Sequence, residues 1–291
     1  EVLNETVFFG LWFKSLPEEI AAKLIKVSGD DSYSFETRRR FKDNTLTEAE
    51  EKIANIKDQT GRSALNHIYD VITSGIKFDV TLNGKTTILD NNELTKLITS
   101  SNPQNREAAY TSRMNKYESH RAELGYIYQT LLKDWHEDKM KLRSYESPIN
   151  VRDKANDIPK KAIDALLSAC KKNNSLFQEY FKLKSNILKL ENPSRFHLYA
   201  PYENTPAEYD FEQAKKIVLE MFYGFSKDMG QLAQSMFDHN HIHSEVQDNK
   251  RRGAFCYSVT PKIKPFVMLN YAGRVQDVST LAHELGHAIH A

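Results

Sequence analysis

Apolar residues recur at helical spacing along most of the chain that precedes Glu191. The segment Ser15-Leu-Pro-Glu18 predicts a capping box that opens a helix, because a serine stands three residues before a glutamate with a proline between them. Glutamates that follow Thr47 predict another helix, which ends near Gly61. Further helical segments are predicted over residues 62–73, 104–144 and 211–237, and two helices over residues 160–190. This pattern favours a mainly α protein.

Shorter segments that alternate apolar and polar residues predict strands. Residues 76–89 alternate on both sides of Asn83-Gly84, which predicts one β-hairpin with a type I′ turn. Residues 253–258 and 266–271 are rich in β-prone side chains and predict a small sheet beside the last helix. The edge of that sheet either holds an extended peptide through main-chain hydrogen bonds, or its strands only pack against the helix.

The last predicted helix carries the most specific motif of the chain, His283-Glu-Leu-Gly-His287. Asp277 predicts the N-cap of this helix, so that the motif lies about two turns into it. At about 100° per residue, the motif histidines and His290 fall within about 60° of one another and form one polar stripe. The other side of the helix is apolar and predicts burial against a core, through Val278, Leu281, Ala282, Leu285, Ala288 and Ile289.

Histidines four residues apart on a helix can reach the same metal ion, and zinc accepts nitrogen ligands in a tetrahedral site. His283 and His287 are therefore candidate zinc ligands. His290 lies about 7.5 Å of helical rise beyond the midpoint of these two, so we expect it to support or pack the site rather than to bind metal. Glu284 adjoins His283 and is the candidate general base that takes a proton from water. A catalytic zinc needs a third protein ligand, which this stripe does not supply.

Composition narrows the function mainly by exclusion. The 291 residues include 40 basic and 39 acidic side chains, so we expect neither nucleic acid nor an anionic membrane surface as a partner. No apolar run approaches the ~18–20 residues that cross a bilayer. The only cysteines, Cys170 and Cys256, suit a reducing compartment, so a cytoplasmic location is expected. Because the first residue is Glu1 rather than methionine, we expect the natural start of the protein to lie upstream.

Three other segments bear on function or organisation. Asp238-His-Asn-His-Ile-His243 is interpreted as a polar loop rather than a metal site. Lys250-Arg251-Arg252 either meets the carboxylate of a peptide or keeps an edge strand soluble. Prolines interrupt residues 191–209. This predicts a helical N-terminal region over residues 1–195, which contains the hairpin, and the first part of a catalytic domain over residues 196–291.

Three segments near the end of the chain follow one another in a specific order. Arg251-Arg-Gly-Ala-Phe-Cys-Tyr257 precedes Pro265-Phe-Val-Met-Leu-Asn-Tyr271, and Asp277-Val-Ser-Thr-Leu-Ala-His-Glu-Leu-Gly-His-Ala-Ile-His290 comes last. This order closely resembles the thimet oligopeptidase and oligoendopeptidase F family of zinc peptidases, the oligoendopeptidase F branch in particular. Weaker similarity extends to Asn105-Arg-Glu-Ala-Ala-Tyr110, Arg143-Ser-Tyr-Glu-Ser-Pro148 and Phe8-Phe-Gly-Leu-Trp-Phe13.

The resemblance implies an elongated, mainly helical zincin-type peptidase with a deep channel and the zinc helix at its floor. It implies one Zn²⁺ per complete active site, with His283 and His287 as ligands and Glu284 as the catalytic base. The family's third ligand is a glutamate on a following helix, and its transition-state-stabilising His and Tyr residues come later still. We expect all of these beyond Ala291, so this chain alone is expected to be inactive.

A zinc-dependent endopeptidase that acts on short peptides is the leading functional hypothesis. Its candidate substrate contacts lie on or beside the predicted sheet and are Gly253, Ala254, Phe255, Tyr257, Asn270 and Tyr271. The last two are equally compatible with structural roles. The alternatives are a zinc exopeptidase, either an aminopeptidase or a carboxypeptidase, and a non-catalytic helical scaffold with a vestigial motif. The sequence indicates no oligomeric state.

Overall fold

The computed structural model describes residues 2–202, 208–247, 250–251, 253–260 and 262–290. Most of these residues are helical, which confirms the prediction of a mainly α fold. Arg252 of the basic cluster and residues 203–207 of the predicted boundary lie outside the described residues. The helices are α1 (Val2–Ser15), α2 (Glu18–Val27), α3 (Ser32–Arg39), α4 (Glu48–Thr60), α5 (Arg62–Gly75), α6 (Asn91–Ile98), α7 (Pro103–Ser119), α8 (Arg121–His136), α9 (Pro148–Asn156), α10 (Lys160–Lys172), α11 (Asn174–Ile187), α12 (Phe211–Phe225), α13 (Lys227–Asp238) and α14 (Val275–His290). The strands are β1 (Phe78–Leu82), β2 (Lys85–Leu89), β3 (Ile242–His243), β4 (Phe255–Tyr257) and β5 (Phe266–Met268).

The packing of the backbone divides the chain into two units. Unit 1 comprises Glu1–Tyr69 and His120–Asn186, and unit 2 comprises Asp70–Ser119 and Ile187–Ala291. The hairpin and α14 both belong to unit 2. The sequence analysis predicted two consecutive regions that meet at residue 195, whereas each unit here consists of two separate segments. The predicted boundary stays a prediction.

Unit 1 contains a charged network centred on Arg143. The guanidinium donates to the two carboxylate oxygens of Glu51 at 2.7 and 2.9 Å and to Asp138 at 2.8 Å. The side chains of Arg143 and Glu51 are only 15% and 12% exposed. Burial alone would raise the pKa of Glu51, but hydrogen bonds from Arg143 and from the Leu46 amide outweigh it and hold that pKa below its ordinary value. In Asp138, hydrogen bonds from Lys139 and Arg143 likewise outweigh burial and lower the pKa.

Replacing Arg143 with methionine is expected to lower the free energy of unfolding by roughly 2–3 kcal/mol, because the partly buried Glu51 loses its guanidinium partner and Asp138 keeps only Lys139. Both carboxylates have lowered pKa values in the fold, so they stabilise it above their ordinary pKa values of 4.5 and 3.8. That contribution is lost as the pH falls through the folded-state values. The loss should therefore be complete at about pH 7 and should shrink steadily as the pH is lowered below these ordinary values, as measured by denaturant unfolding over a series of pH values.

Arg62→Met is the matched control for Arg143→Met. It removes the ion pair between Arg62 and Asp58, which are four residues apart. The side chain of Arg62 is 47% exposed and that of Asp58 is 35% exposed. Its expected cost is about 0.5 kcal/mol or less, because water screens exposed pairs. Equal losses in the two variants would contradict the importance of burial at Arg143.

The helix predicted to begin near Thr47 is confirmed as α4, and the structure adds a capping box at its start, formed by Thr47 and Glu50. The capping box predicted at Ser15 is wrong, because α1 extends to this residue and its hydroxyl donates to the carbonyl of Trp12 at 2.8 Å. The extension of α1 places the fully buried Phe13 against Phe35 of α3, with ring centroids 4.8 Å apart. The guanidinium of Arg39, also in α3, donates to the carbonyls of Phe13, Lys14 and Leu16, so contacts with α3 satisfy the end of α1.

The predicted hairpin is confirmed in unit 2. Strands β1 and β2 pair antiparallel around a two-residue turn. The backbone φ angles are 52° at Asn83 and 78° at Gly84, and a type I′ turn requires positive values at both positions. Phe78 and Val80 of β1 are buried and pack against α6 and α7.

Gly84→Ala is expected to lower the free energy of unfolding by about 1 kcal/mol, because an L-residue is strained at positive φ. Nothing would touch the added methyl group, so the cost should come from the backbone alone. Gly125→Ala in α8 is the control, since this glycine also faces open space but has helical geometry. It should instead raise stability by about 0.5–1 kcal/mol in the same thermal unfolding measurement. Shifts of the same sign would contradict this account.

The single helix predicted over residues 211–237 is wrong, because Ser226 separates α12 from α13 with extended backbone angles of −158° and 137°. The break allows both helices to bury apolar residues in the same core, which includes Val218 and Met236. The two helices approach closely at Gly230, where an added Cβ would overlap the ring of Tyr223. Helical periodicity continues through Ser226, so tertiary packing sets this boundary.

The predicted small sheet beside the last helix is confirmed, with the strand order β3-β5-β4. Strand β3 pairs parallel to β5, and β4 pairs antiparallel to it. The structure adds β3, which the sequence did not predict. Strand β4 is shorter than predicted at both ends, and β5 is shorter only at its C-terminal end. Val267 and Leu269 are buried in the core that also holds Leu281 and Leu285 of α14. Within the described residues, β4 pairs on one side only and is an edge strand.

The start of α14 differs from its prediction. The helix begins at Val275, so Asp277 is not its N-cap. Asp277 instead lies in the first turn, where its carboxylate accepts hydrogen bonds from the amides of Ala272 and Arg274 at 2.9 and 3.0 Å. It also pairs with the guanidinium of Arg274 at 2.6 Å. This buried carboxylate therefore anchors the helix start from within the helix.

Candidate active site

Helix α14 places its apolar face in the core and its histidines outside. Leu281 and Leu285 are fully buried, and Ala288 is nearly so. The motif residues His283 and His287 are exposed on the other side. The amphipathic pattern therefore orients the two imidazoles away from the core, as a metal-binding helix requires.

The imidazoles of His283 and His287 converge on one point. Their Nε2 atoms are 3.1 Å apart, their ring centroids are 4.7 Å apart, and the ring planes are 87° to each other. Tetrahedral zinc with Zn–N distances of about 2.0–2.1 Å separates two nitrogen ligands by roughly 3.3–3.4 Å. The pair therefore fits as two of the ligands of a zinc ion.

No third ligand completes this pair in the part of the chain that the structure describes, where no group of three or more His, Cys, Asp or Glu side chains is arranged to hold a metal. His290 is exposed in the last turn of α14. The supporting role expected for it stays a prediction.

Glu284 is buried, with 7% of its surface exposed, although it belongs to the same polar stripe. Cys256 of β4 lies within electrostatic reach of its carboxylate. Burial raises the pKa of the Cys256 thiol, and the negative charge of Glu284 raises it further. The carboxylate is therefore enclosed between α14 and the sheet rather than free in solvent.

A cleft of about 470 Å³ in unit 2 brings several predicted site residues together. Glu284 and His283 of α14 line it. Gly253 and Ala254, which precede β4, and Asn270, which follows β5, line it as well. The remaining lining residues are Asn91, Asn92, Thr95, Arg274, Gln276, Asp277, Ser279 and Thr280. The predicted base therefore borders the same space as three of the predicted substrate contacts.

The other predicted substrate contacts do not line this cleft. Cys256 packs against the core, whereas Phe255 and Tyr257 on the opposite face of β4 are 39% and 62% exposed. The Tyr271 hydroxyl donates to the carbonyls of Tyr209 and Asp210 at 2.9 and 3.3 Å. Burial raises the pKa of Tyr271, and the nearby acidic side chains raise it further. Contact of these three residues with a substrate stays a prediction.

The basic and histidine-rich segments have structural contacts. The Lys250 amino group is bound to three backbone carbonyls, and Arg251 lies 3.6 Å from the carboxylate of Asp70. The His241 ring stacks on Phe266 with centroids 4.4 Å apart, and its Nδ1 is 2.9 Å from the carbonyl of Pro265. The histidine segment is not a loop throughout, because Ile242–His243 forms β3.

Asn91, Asn92 and Thr95 of α6 line the cleft, but the sequence did not indicate them. A local signal for the helix itself was present, since Asp90 and Glu93 form a complete capping box at its start. Nothing in the sequence indicated that this helix borders the motif, which lies far downstream.

No helix among the described residues is both long and apolar enough to span a membrane.

Sequence comparison gives matches over both parts of the chain. The model of Peptidase family M3 matches residues 96–291, which is more than half of the chain. The model described as Oligopeptidase F matches residues 12–78.

Similar proteins of known name are peptidases. Oligoendopeptidase F, chromosomal, of Lactococcus lactis subsp. cremoris is 28% identical over 195 residues, which are 67% of this chain and 32% of the relative. Group B oligopeptidase PepB of Streptococcus agalactiae is 24% identical over 208 residues, which are 72% of this chain and 34% of the relative. The chain spans about a third of the length of these curated relatives.

Solved structures show the same fold. PZ peptidase A with inhibitor 2 has a TM-score of 0.79 and 16% identity, over 99% of this chain and 50% of that chain. Oligoendopeptidase-F from Enterococcus faecium has a TM-score of 0.60 and 18% identity, over 80% of this chain and 46% of that chain. At these identities the likeness shows the fold alone.

Proposed function

The chain belongs to peptidase family M3, in its oligoendopeptidase F branch, and from this we propose that it supplies part of a zinc-dependent endopeptidase that hydrolyses short peptides. One observation carries the proposal. The imidazoles of His283 and His287 converge on one point, and His283 borders a cleft that the buried Glu284 also lines. The names of the relatives, which include oligoendopeptidase F, support cleavage within short peptides.

His283 and His287 would hold one Zn²⁺ through their Nε2 atoms in each complete active site. When bound, zinc lowers the pKa of water to about 7 and polarises a peptide carbonyl. We place the third ligand, a glutamate, outside the residues of this chain, and we therefore expect this chain alone to be inactive. The matched relatives are about three times as long as the aligned segment, which leaves room for that residue.

Glu284 would act as the general base and then as the general acid. It borders the cleft directly beside His283, so it can take a proton from water there and deliver it to the nitrogen of the leaving amine. Its burial keeps bulk water away from the carboxylate and so strengthens its interactions with the reacting groups.

The peptide would lie along the segment that leads into β4. Gly253 and Ala254 line the cleft, and their small side chains allow another backbone to approach closely. Because β4 is an edge strand, it can pair with an extended peptide through main-chain hydrogen bonds. The free cysteines, Cys170 and Cys256, suit the reducing cytoplasm, where we place the protein.

Zinc content and cleavage of an end-blocked fluorogenic peptide test this function. Both are measured for this chain and for the same chain extended to the length of its relatives, and both should appear only in the extended form. Cleavage of unblocked peptides alone would indicate an exopeptidase, because exopeptidases require a free terminus. An extended form without metal or activity would contradict the proposal and favour a scaffold.

A further inference from the structure

The segment that leads into β4 has no strand pairing among the described residues. Two side chains, Lys250 and Asn270, hold it in place instead. Pairing between β4 and β5 begins only at Phe255. Before that point, the amino group of Lys250 donates to the carbonyls of His243, Glu245 and Leu269 at 3.2, 2.6 and 2.8 Å. A lysine ammonium has three hydrogens to donate, so these carbonyls account for its whole capacity.

Asn270 makes the second attachment. Its amide nitrogen donates to the carbonyls of Arg251 and Gly253 at 3.0 and 3.2 Å. Gly253 has a φ of 81°, a conformation that needs support from the surrounding structure. Lys250 and Asn270 thus tie the approach to β4 to the ends of β3 and β5.

We propose that Lys250 and Asn270 are positioning residues, which fix Gly253 and Ala254 at the cleft so that a bound peptide lies opposite Glu284. This inference rests on the proposed peptidase function, because it assigns these residues to substrate placement. The Lys250 ammonium already binds three carbonyls, and the Asn270 amide nitrogen binds two. The Asn270 Oδ1 atom has no hydrogen-bond partner among the described residues, so direct contact of Asn270 with a substrate stays a prediction.

The physical argument concerns the cost of ordering. An edge that is already fixed loses little entropy when a peptide pairs with it, whereas an untethered edge must order itself during binding. Removing either tether should therefore weaken peptide binding without touching the zinc ligands. Each tether donates at least two hydrogen bonds to the backbone, so its removal leaves a segment that must order itself when the peptide binds. A loss of about tenfold or more in peptide affinity is expected.

Binding is measured in the extended, zinc-loaded protein carrying Glu284→Gln, so that an end-blocked fluorescent peptide stays intact. Asn270→Ala and Lys250→Met should each raise the dissociation constant about tenfold or more. Lys250→Arg should recover only part of the loss, because a planar guanidinium cannot donate to three carbonyls that converge on one point. Asn66→Ala and Lys262→Met should leave binding unchanged, since both residues are exposed and neither lines the cleft.

Kinetics separate positioning from a general structural role. With Glu284 intact, the two tether variants should raise KM for a long end-blocked peptide much more than KM for a minimal substrate that does not reach β4. Equal loss on both substrates, or unchanged peptide binding, would overturn the proposal. Should Lys250→Met fail to fold, Gly253→Ala tests the same edge through its strained φ and should also weaken binding.

The binding measurement also distinguishes this proposal from the proposed function. If binding responds to the tether variants but the protein with Glu284 intact does not hydrolyse the peptide, the peptidase function is removed and the positioning role is kept. Protein that hydrolyses the peptide with an unchanged KM in the tether variants would keep the function and remove the positioning role.

Discussion

Replacing Glu284 with glutamine is expected to lower kcat by about 10²- to 10⁴-fold in the extended, zinc-loaded protein, with zinc content unchanged. Glutamine has nearly the same shape but cannot take a proton from water at neutral pH, so the proton transfers lose their carrier. Zinc should stay because the converging Nε2 atoms belong to His283 and His287, and Glu284 is not part of that pair. Elemental analysis and cleavage of an end-blocked peptide measure the two effects.

Glu212→Gln is the matched control for this substitution. Its side chain on α12 is 79% exposed, and the residue does not line the cleft, so neither kcat nor zinc content should change. Near-normal cleavage by Glu284→Gln would exclude Glu284 as the base. A fall in KM alongside the fall in kcat would point to ground-state strain that the carboxylate had imposed on the substrate.

Local signals predicted those parts of the fold that local chemistry determines. The turn at Asn83-Gly84 requires positive φ at both residues, and few sequences other than Asn-Gly meet that requirement easily. Likewise, the apolar stripe of α14 follows from helical periodicity, and Leu281 and Leu285 are fully buried as that pattern predicts. These features depend on residues that lie within a few positions of one another.

Helix boundaries depended on contacts that the sequence does not reveal. The break at Ser226 lies within an uninterrupted helical pattern, and the close approach of Tyr223 to Gly230 accompanies it. At Ser15, where a capping signal predicted the start of a new helix, α1 continues instead, and Phe13 in its last turn packs against Phe35. In both regions, packing between helices outweighs local propensity.

The site shows the same division between local and distant information. Spacing on one helix indicated His283, Glu284 and His287, because a metal site requires that spacing whatever the rest of the fold. Asn91 and Asn92 line the same cleft from a distant segment, and polar residues on a helix usually indicate only a solvated face. The contacts of Lys250 with three carbonyls are likewise invisible in sequence, since backbone acceptors carry no residue signature.

His287→Ala and His283→Ala are each expected to abolish stoichiometric zinc binding by the extended protein, whereas His290→Ala should retain it. Either substitution removes one of the two Nε2 atoms that lie 3.1 Å apart, so only one imidazole remains to bind the zinc ion. Losing even a hydrogen-bonded supporting group around a metal costs about 10- to 100-fold in affinity, and losing a ligand should cost more. Metal content after dialysis against a mild chelator measures the difference.

The three alanine variants are matched by their helix and by their exposure. All three histidines are exposed on α14, and alanine is a better helix former, so the metal-free proteins should unfold at similar temperatures. Any difference in zinc content therefore reports ligation rather than folding. Zinc loss in His290→Ala equal to that in His287→Ala would show that the whole histidine stripe holds the metal. Zinc retained in His283→Ala or His287→Ala would remove the basis of the metal site, because no other described side chains are grouped to hold the ion.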